Sequence, residues 1–146
     1  MQLTPNFSLR ELTYSSTAQD LKLDNTPSAE VLERLKYTAV KMEAVRQLLG
    51  NRPITVTSGY RGPQLNKAVG GSATSQHSKG EAVDFKCYGF GDARKICLEL
   101  LKHKDLLEYD QLILEPTWVH ISFTLGTPRK KELTYLGKNH YVPGIS

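Results

Sequence analysis

The sequence predicts an α+β fold, a single domain with a small antiparallel sheet flanked by helices. Three observations predict it. Helical periods of apolar residues stand apart from several short β-rich runs. Those runs come as hairpins or isolated segments, not in regular alternation with helices. No Pro/Gly/Ser-rich linker or internal repeat divides the chain, and 146 residues is the length of one domain able to bury a real core.

The elements follow in order. Residues 7–12, Phe-Ser-Leu-Arg-Glu-Leu, read as a short helix with Ser8 and Glu11 placed for a capping box. A longer helix starts with Thr26 as N-cap and Pro27 in the first helical position. Its Val31, Leu32, Leu35, Ala39, Met42, Val45 and Leu49 keep a helical period, and Gly50 ends it. Residues 54–57 are a short strand running into the turn-rich Ser58-Gly59-Tyr60-Arg61-Gly62-Pro63, and residues 64–69 make one or two helical turns before Gly70-Gly71. Residues 82–85 form the next strand, and Asp92 begins an amphipathic helix through Ile96, Leu100 and Leu101. Residues 111–114 and 118–123 are two strands joined by a tight turn around Pro116. The main domain is expected to span residues 1–125. Residues 126–146 form a basic C-terminal tail packed on the same domain and partly ordered through 133–136.

Composition excludes several classes. A net charge of +4 with pI near 9.1 would draw the protein to anionic polymers, or serve solubility alone. The densest basic cluster, Arg129-Lys130-Lys131, has no interleaved aromatics, so no nucleic-acid partner is expected. No apolar run approaches the roughly 20 residues of a membrane span, so no membrane insertion is expected. Residues 1–6 have neither a basic n-region nor an apolar h-region, so the sequence reads as having no signal peptide and as made in the cytoplasm. Cys87 and Cys97 read as free buried thiols, and a monomer is the expected state.

The chemistry lies in three residues. His77 and Asp84 sit seven apart, and His120 follows in Trp118-Val119-His120-Ile121-Ser122. Two imidazoles and one carboxylate suit one zinc ion, because three protein ligands leave a tetrahedral position for water. Such a site points to hydrolysis by metal-activated water. The period of two puts Trp118 and His120 on one face of their strand. A lone histidine on a strand is usually structural; it is the combination with Arg61 and the Trp-x-His strand that carries the metal reading.

Several motifs together resemble one family. Ser75-x-His77-x-x-Gly80-x-Ala82-x-Asp84 is similar to the SxHxxGxAxD signature of the zinc D-Ala-D-Ala carboxypeptidase family, in the Hedgehog/DD-peptidase superfamily. Residues 58–71 resemble the SGYRsPxxNxxVGG element of its carboxypeptidase-like branch, Trp118–Ser122 its WVHIS strand, and residues 7–12 its FSLxEL opening. The resemblance covers about residues 5 to 124, with the motifs in the family's order.

The resemblance implies a Hedgehog/DD-peptidase-like fold with zinc held by His77, Asp84 and His120. It implies a metallopeptidase acting on the bacterial peptidoglycan stem peptide, either a D-Ala-D-Ala carboxypeptidase or an L-Ala-D-Glu endopeptidase. Arg61 matches the family arginine that faces substrate, where its guanidinium holds a carboxylate or a developing oxyanion. Ser75, Gln76 and Trp118 would line the substrate site. The general base departs from the pattern: many relatives carry an acid three residues before the last histidine, where this chain has Thr117. Glu115 is the candidate base in its place, with Asp110 weaker. A phage or prophage lysis protein of the endolysin kind, or a bacteriophage virion component, is the expected setting, with the wall reached through a partner pore. The alternative is a catalytically silent, zinc-containing module that binds peptidoglycan or serves structure.

Overall fold

A computed structural model describes residues 1–146. The chain opens with a small hairpin, β1 (Gln2–Thr4) and β2 (Phe7–Ser8), leading into α1 (Leu9–Thr13). The capping box forms: the Ser8 hydroxyl accepts the Glu11 N–H at 3.1 Å, and the Glu11 carboxylate accepts the Ser8 N–H at 3.1 Å. A short α2 (Ser16–Asp20), capped by Ser15, has too few apolar residues to announce itself by period.

The long helix α3 is Ala29–Leu48, capped by Ser28 and not by Thr26. The Ser28 hydroxyl accepts the Val31 N–H at 3.2 Å, whereas the Thr26 N–H is taken by the Asp24 carboxylate at 3.0 Å. Pro27 therefore precedes the cap. Gly50, at φ 79°, supplies the left-handed residue that follows the helix.

The remaining elements are β3 (Thr55–Ser58), α4 (Pro63–Ala68), a 3₁₀ turn (Gln76–Lys79), β4 (Ala82–Lys86), α5 (Ala93–Leu101) and α6 (Lys104–Leu107). They are followed by β5 (Gln111–Leu114), β6 (Val119–Ser122), β7 (Lys131–Tyr135) and β8 (Tyr141–Pro143). Strands β3 to β8 form one sheet in the order β3-β4-β6-β5-β7-β8. Every pairing is antiparallel except β5 with β7, which is parallel. The sheet is thus larger than the expected small one, because residues after 126 supply two strands. After β6 the chain crosses back to the open side of β5, whose backbone groups need partners.

Alternation sorts the sheet into two faces. Val83 and Phe85 of β4, Leu112 of β5, and Val119 and Ile121 of β6 are fully buried in one cluster with Leu35, Ala39 and Met42 of α3 and Ile96 and Leu100 of α5. On the opposite face, register aligns Ser58, Asp84, His120 and Ile113 across four neighbouring strands. The helices thus hold the sheet from behind and leave that row facing a cleft. Cys87 and Cys97 are free and buried.

Candidate metal centre

Asp84 and His120 are cross-strand partners, so pairing of β4 with β6 alone brings their side chains together. His77 arrives from outside the sheet, and several contacts fix its loop. Gly80 adopts φ +76° against α3, where an added Cβ would meet Val31 at 3.0 Å. Beside it, the buried Thr38 hydroxyl donates to the Gly80 carbonyl at 2.8 Å. At the front of the loop, the Ser75 hydroxyl accepts the His77 N–H at 3.2 Å.

The preceding loop is pinned in the same manner. Asn25 donates to the carbonyls of Thr13 and Tyr60, at 2.8 and 3.0 Å, and accepts the Gly62 N–H at 2.7 Å. Asn66 donates to the Ser72 carbonyl at 2.7 Å, and Gly71 lies so close that a Cβ there would overlap Asn66. Asn66 and Gly71 of the 58–71 motif are therefore packing requirements of the loop that carries Arg61.

These contacts deliver three ligand atoms to one place, all within 4.8 Å of one another. The Gly59 carbonyl lies 2.8 Å from His77 Nδ1, and a carbonyl can only accept, so Nδ1 carries the proton and Nε2 keeps its lone pair. That Nε2 lies 3.3 Å from Asp84 Oδ1, and His120 Nδ1 lies 2.9 Å from the same oxygen. Bonds of about 2.0–2.2 Å to a tetrahedral zinc ion would separate its ligands by roughly 3.3–3.6 Å, so the set needs only small adjustment. Two imidazoles and a carboxylate form a borderline donor set that suits zinc, and the Gly59 carbonyl is the outer partner such a histidine requires. The imidazole rings meet edge to face, with centroids 5.1 Å apart. Burial raises the Asp84 carboxyl, but the His120 and His77 imidazoles beside it outweigh this and hold it well below the usual carboxylate range.

The triad opens into a cleft of about 640 Å³ that also receives Arg61, Ser75, Gln76, Glu115 and Trp118. Arg61 donates from Nη2 to the Ser75 hydroxyl at 3.3 Å, while its buried Nε has no partner. Burial lowers the Arg61 pKa, and the nearby Asp84 charge opposes that. Gln76 donates to Asp110 at 3.0 Å and to Glu81 at 3.4 Å. Glu115 begins the β5–β6 turn, its N–H bonded to the Trp118 carbonyl at 3.1 Å. Its carboxyl is raised, first by burial and then by the Asp84 charge, with His120 and Tyr141 opposing.

Asp110, the weaker candidate base, is not at the cleft. It is buried beneath Arg129, accepting Nη2 at 2.6 Å and the backbone N–H at 2.9 Å, and a carboxylate so engaged has no free lone pair for a substrate proton. Among the cleft residues that went unforeseen are Tyr135 and Tyr141, from β7 and β8. A hairpin signal was present in Glu132–Tyr135, Gly137, Asn139 and Tyr141–Val142, but nothing local said which strand it would join. His103 faces Glu99 at 3.2 Å, away from the site.

Comparison with known proteins bears on this arrangement. The family model described as Peptidase M15 matches residues 5–122. The zinc D-Ala-D-Ala carboxypeptidase of Streptomyces albus G is 33% identical to the chain over 79 residues, which is 54% of the chain and 30% of that relative. The chain thus spans under a third of that relative's length.

Proposed function

The chain belongs to the peptidase M15 family, and from that premise we propose that it is a zinc metallopeptidase hydrolysing amide bonds in the peptide part of bacterial peptidoglycan. The observation that carries this reading is the convergence of His77 Nε2, Asp84 Oδ1 and His120 Nδ1 in a cleft that also holds Glu115 and Arg61. When bound there, zinc supplies Lewis acidity toward the scissile carbonyl and lowers the pKa of water toward about 7.

The chain's own groups do the rest. Glu115 takes the proton from the attacking water and returns it to the leaving amine. Its raised pKa suits both halves of that task, since a weaker acid binds the proton more readily and can still release it. Arg61, held by Ser75 at one end of its guanidinium and lining the cleft, meets a substrate carboxylate or the developing oxyanion. Trp118 and Gln76 line the walls along which the peptide lies. The bond cut is a terminal D-Ala-D-Ala link or an internal L-Ala-D-Glu link, as the family resemblance supports. Phage or prophage lysis, or a virion role, is the setting proposed with it.

Digestion of purified muropeptides, followed by product masses, tests the proposal. Zinc-loaded protein should release peptide fragments, the masses should name the bond, and a chelator should stop release. Glu115→Gln should keep its zinc while losing about 100-fold or more of the rate. A wild-type protein that holds zinc and binds the wall without cleaving any muropeptide identifies the silent module instead.

A further inference from the structure

The family match ends at residue 122, yet three side chains lining the cleft come from beyond it: Arg129, Tyr135 and Tyr141. Only Arg129 among them is a cation at neutral pH. It stands just ahead of β7, and the parallel pairing of β7 with β5 brings it against Asp110, just ahead of β5. The Asp110 side chain is only 5% exposed and grips one edge of the guanidinium. Nε donates at 3.1 Å to each carboxylate oxygen, and Nη2 donates to Oδ2 at 2.6 Å. Gln76, the neighbour of His77 in the chain, donates to that Oδ2 at 3.0 Å, so the cation is tied to the loop that carries a metal ligand. The other edge is open: no hydrogen bond uses Nη1, and the Arg129 side chain is 55% exposed.

Arg129 stands between two cavities. Together with Thr74 and Gln76 it also lines a neighbouring hollow of about 620 Å³. Polar and charged residues alone form that hollow, with more cations (Arg34, Lys79 and Arg129) than acids (Glu81 and Asp110). Peptide that runs out of the metal cleft on this side meets a polar, cationic surface. A guanidinium fixed along one edge presents the other at a set angle, which suits a planar anion such as a carboxylate. We propose that Arg129 receives, through its Nη1 edge, a carboxylate of the stem peptide that Arg61 does not hold, and so selects which peptides are cut. This rests on the peptidase reading, in which Arg61 meets another carboxylate or the developing oxyanion. Exposure and the Asp110 charge both weaken the attraction, so its loss should cost about 5- to 20-fold in kcat/KM.

Muropeptides with the stem L-Ala-γ-D-Glu-L-Lys-D-Ala-D-Ala carry free carboxylates at the D-Glu α-position and at the C-terminus, and each can be replaced by its carboxamide. In the wild type, the amide at the position Arg129 serves should lower kcat/KM about 5- to 20-fold, mainly through KM. Arg129→Gln combined with Asp110→Asn should abolish that penalty and leave the other amide's effect as it was; the penalty that vanishes names the carboxylate. The substitutions are paired because Asp110 without Arg129 would be a buried, uncompensated charge. Arg129→Lys can still pair with Asp110 but has no second edge, so the same penalty should shrink there too. A purely structural role would slow all three peptides alike and leave every penalty in place, which overturns the proposal. So does a wild type indifferent to both amides. A wild type that cleaves none of the three peptides overturns the peptidase reading, and this inference with it.

Discussion

At the scale of single residues, Gly59 determines whether His77 can serve. Its carbonyl holds the imidazole at 2.8 Å, and a Cβ on it would overlap the Leu12 carbonyl oxygen. Backbone on both sides leaves no flexible side chain to yield, so even one methyl must displace the loop from α1. Gly59→Ala should lose about 1–3 kcal/mol of stability and roughly 10- to 100-fold in zinc affinity. Chemical denaturation and competition with a chromogenic chelator read the two effects separately. Unchanged affinity would show that the carbonyl does not orient the ligand.

Elements carry two predictions. Because Ser28 and not Thr26 caps α3, Ser28→Ala should cost about 1 kcal/mol, while Thr26→Ala should cost a few tenths at most. Equal losses in urea melts would contradict the observed cap. The second prediction concerns the joint between Asp110, just ahead of β5, and Arg129, just ahead of β7. The Asp110 carboxylate accepts from Arg129 and Gln76 and so ties the tail strands to the His77 loop. Burial raises the Asp110 pKa, but bonding to Arg129 and Gln76 outweighs it and the net direction is down. A group depressed on folding stabilises in full above its unfolded pKa of about 3.9, and that contribution is lost as pH falls from there through its lower folded pKa. Arg129→Ala should cost about 1–3 kcal/mol at pH 7 and progressively less as pH falls through the folded Asp110 pKa, so its stability curve should converge on that of the wild type in acid. Parallel curves across that range would show that the pair contributes nothing.

The whole molecule links metal to stability, since His77, Asp84 and His120 come from a loop and two strands that are apart in the unfolded chain. Free zinc at 100 times its dissociation constant should stabilise the fold by about 2.7 kcal/mol, raising Tm by roughly 5–10 °C over chelated protein. Calorimetry with and without zinc measures this, and coincident melting curves would contradict a shared metal site. What the sequence by itself determined was local in origin. Residue types and spacing named the ligand set, capping chemistry set the start of α1, and a period of two set the face of His120. Tertiary structure decided that Arg129 removes Asp110 from the candidates for base, and that Tyr135 and Tyr141 enter the cleft. The parallel pairing of β5 with β7 joins segments twenty residues apart, with β6 between them. Local periodicity records which face a strand buries, but it holds no record of the neighbour against which its backbone will be satisfied.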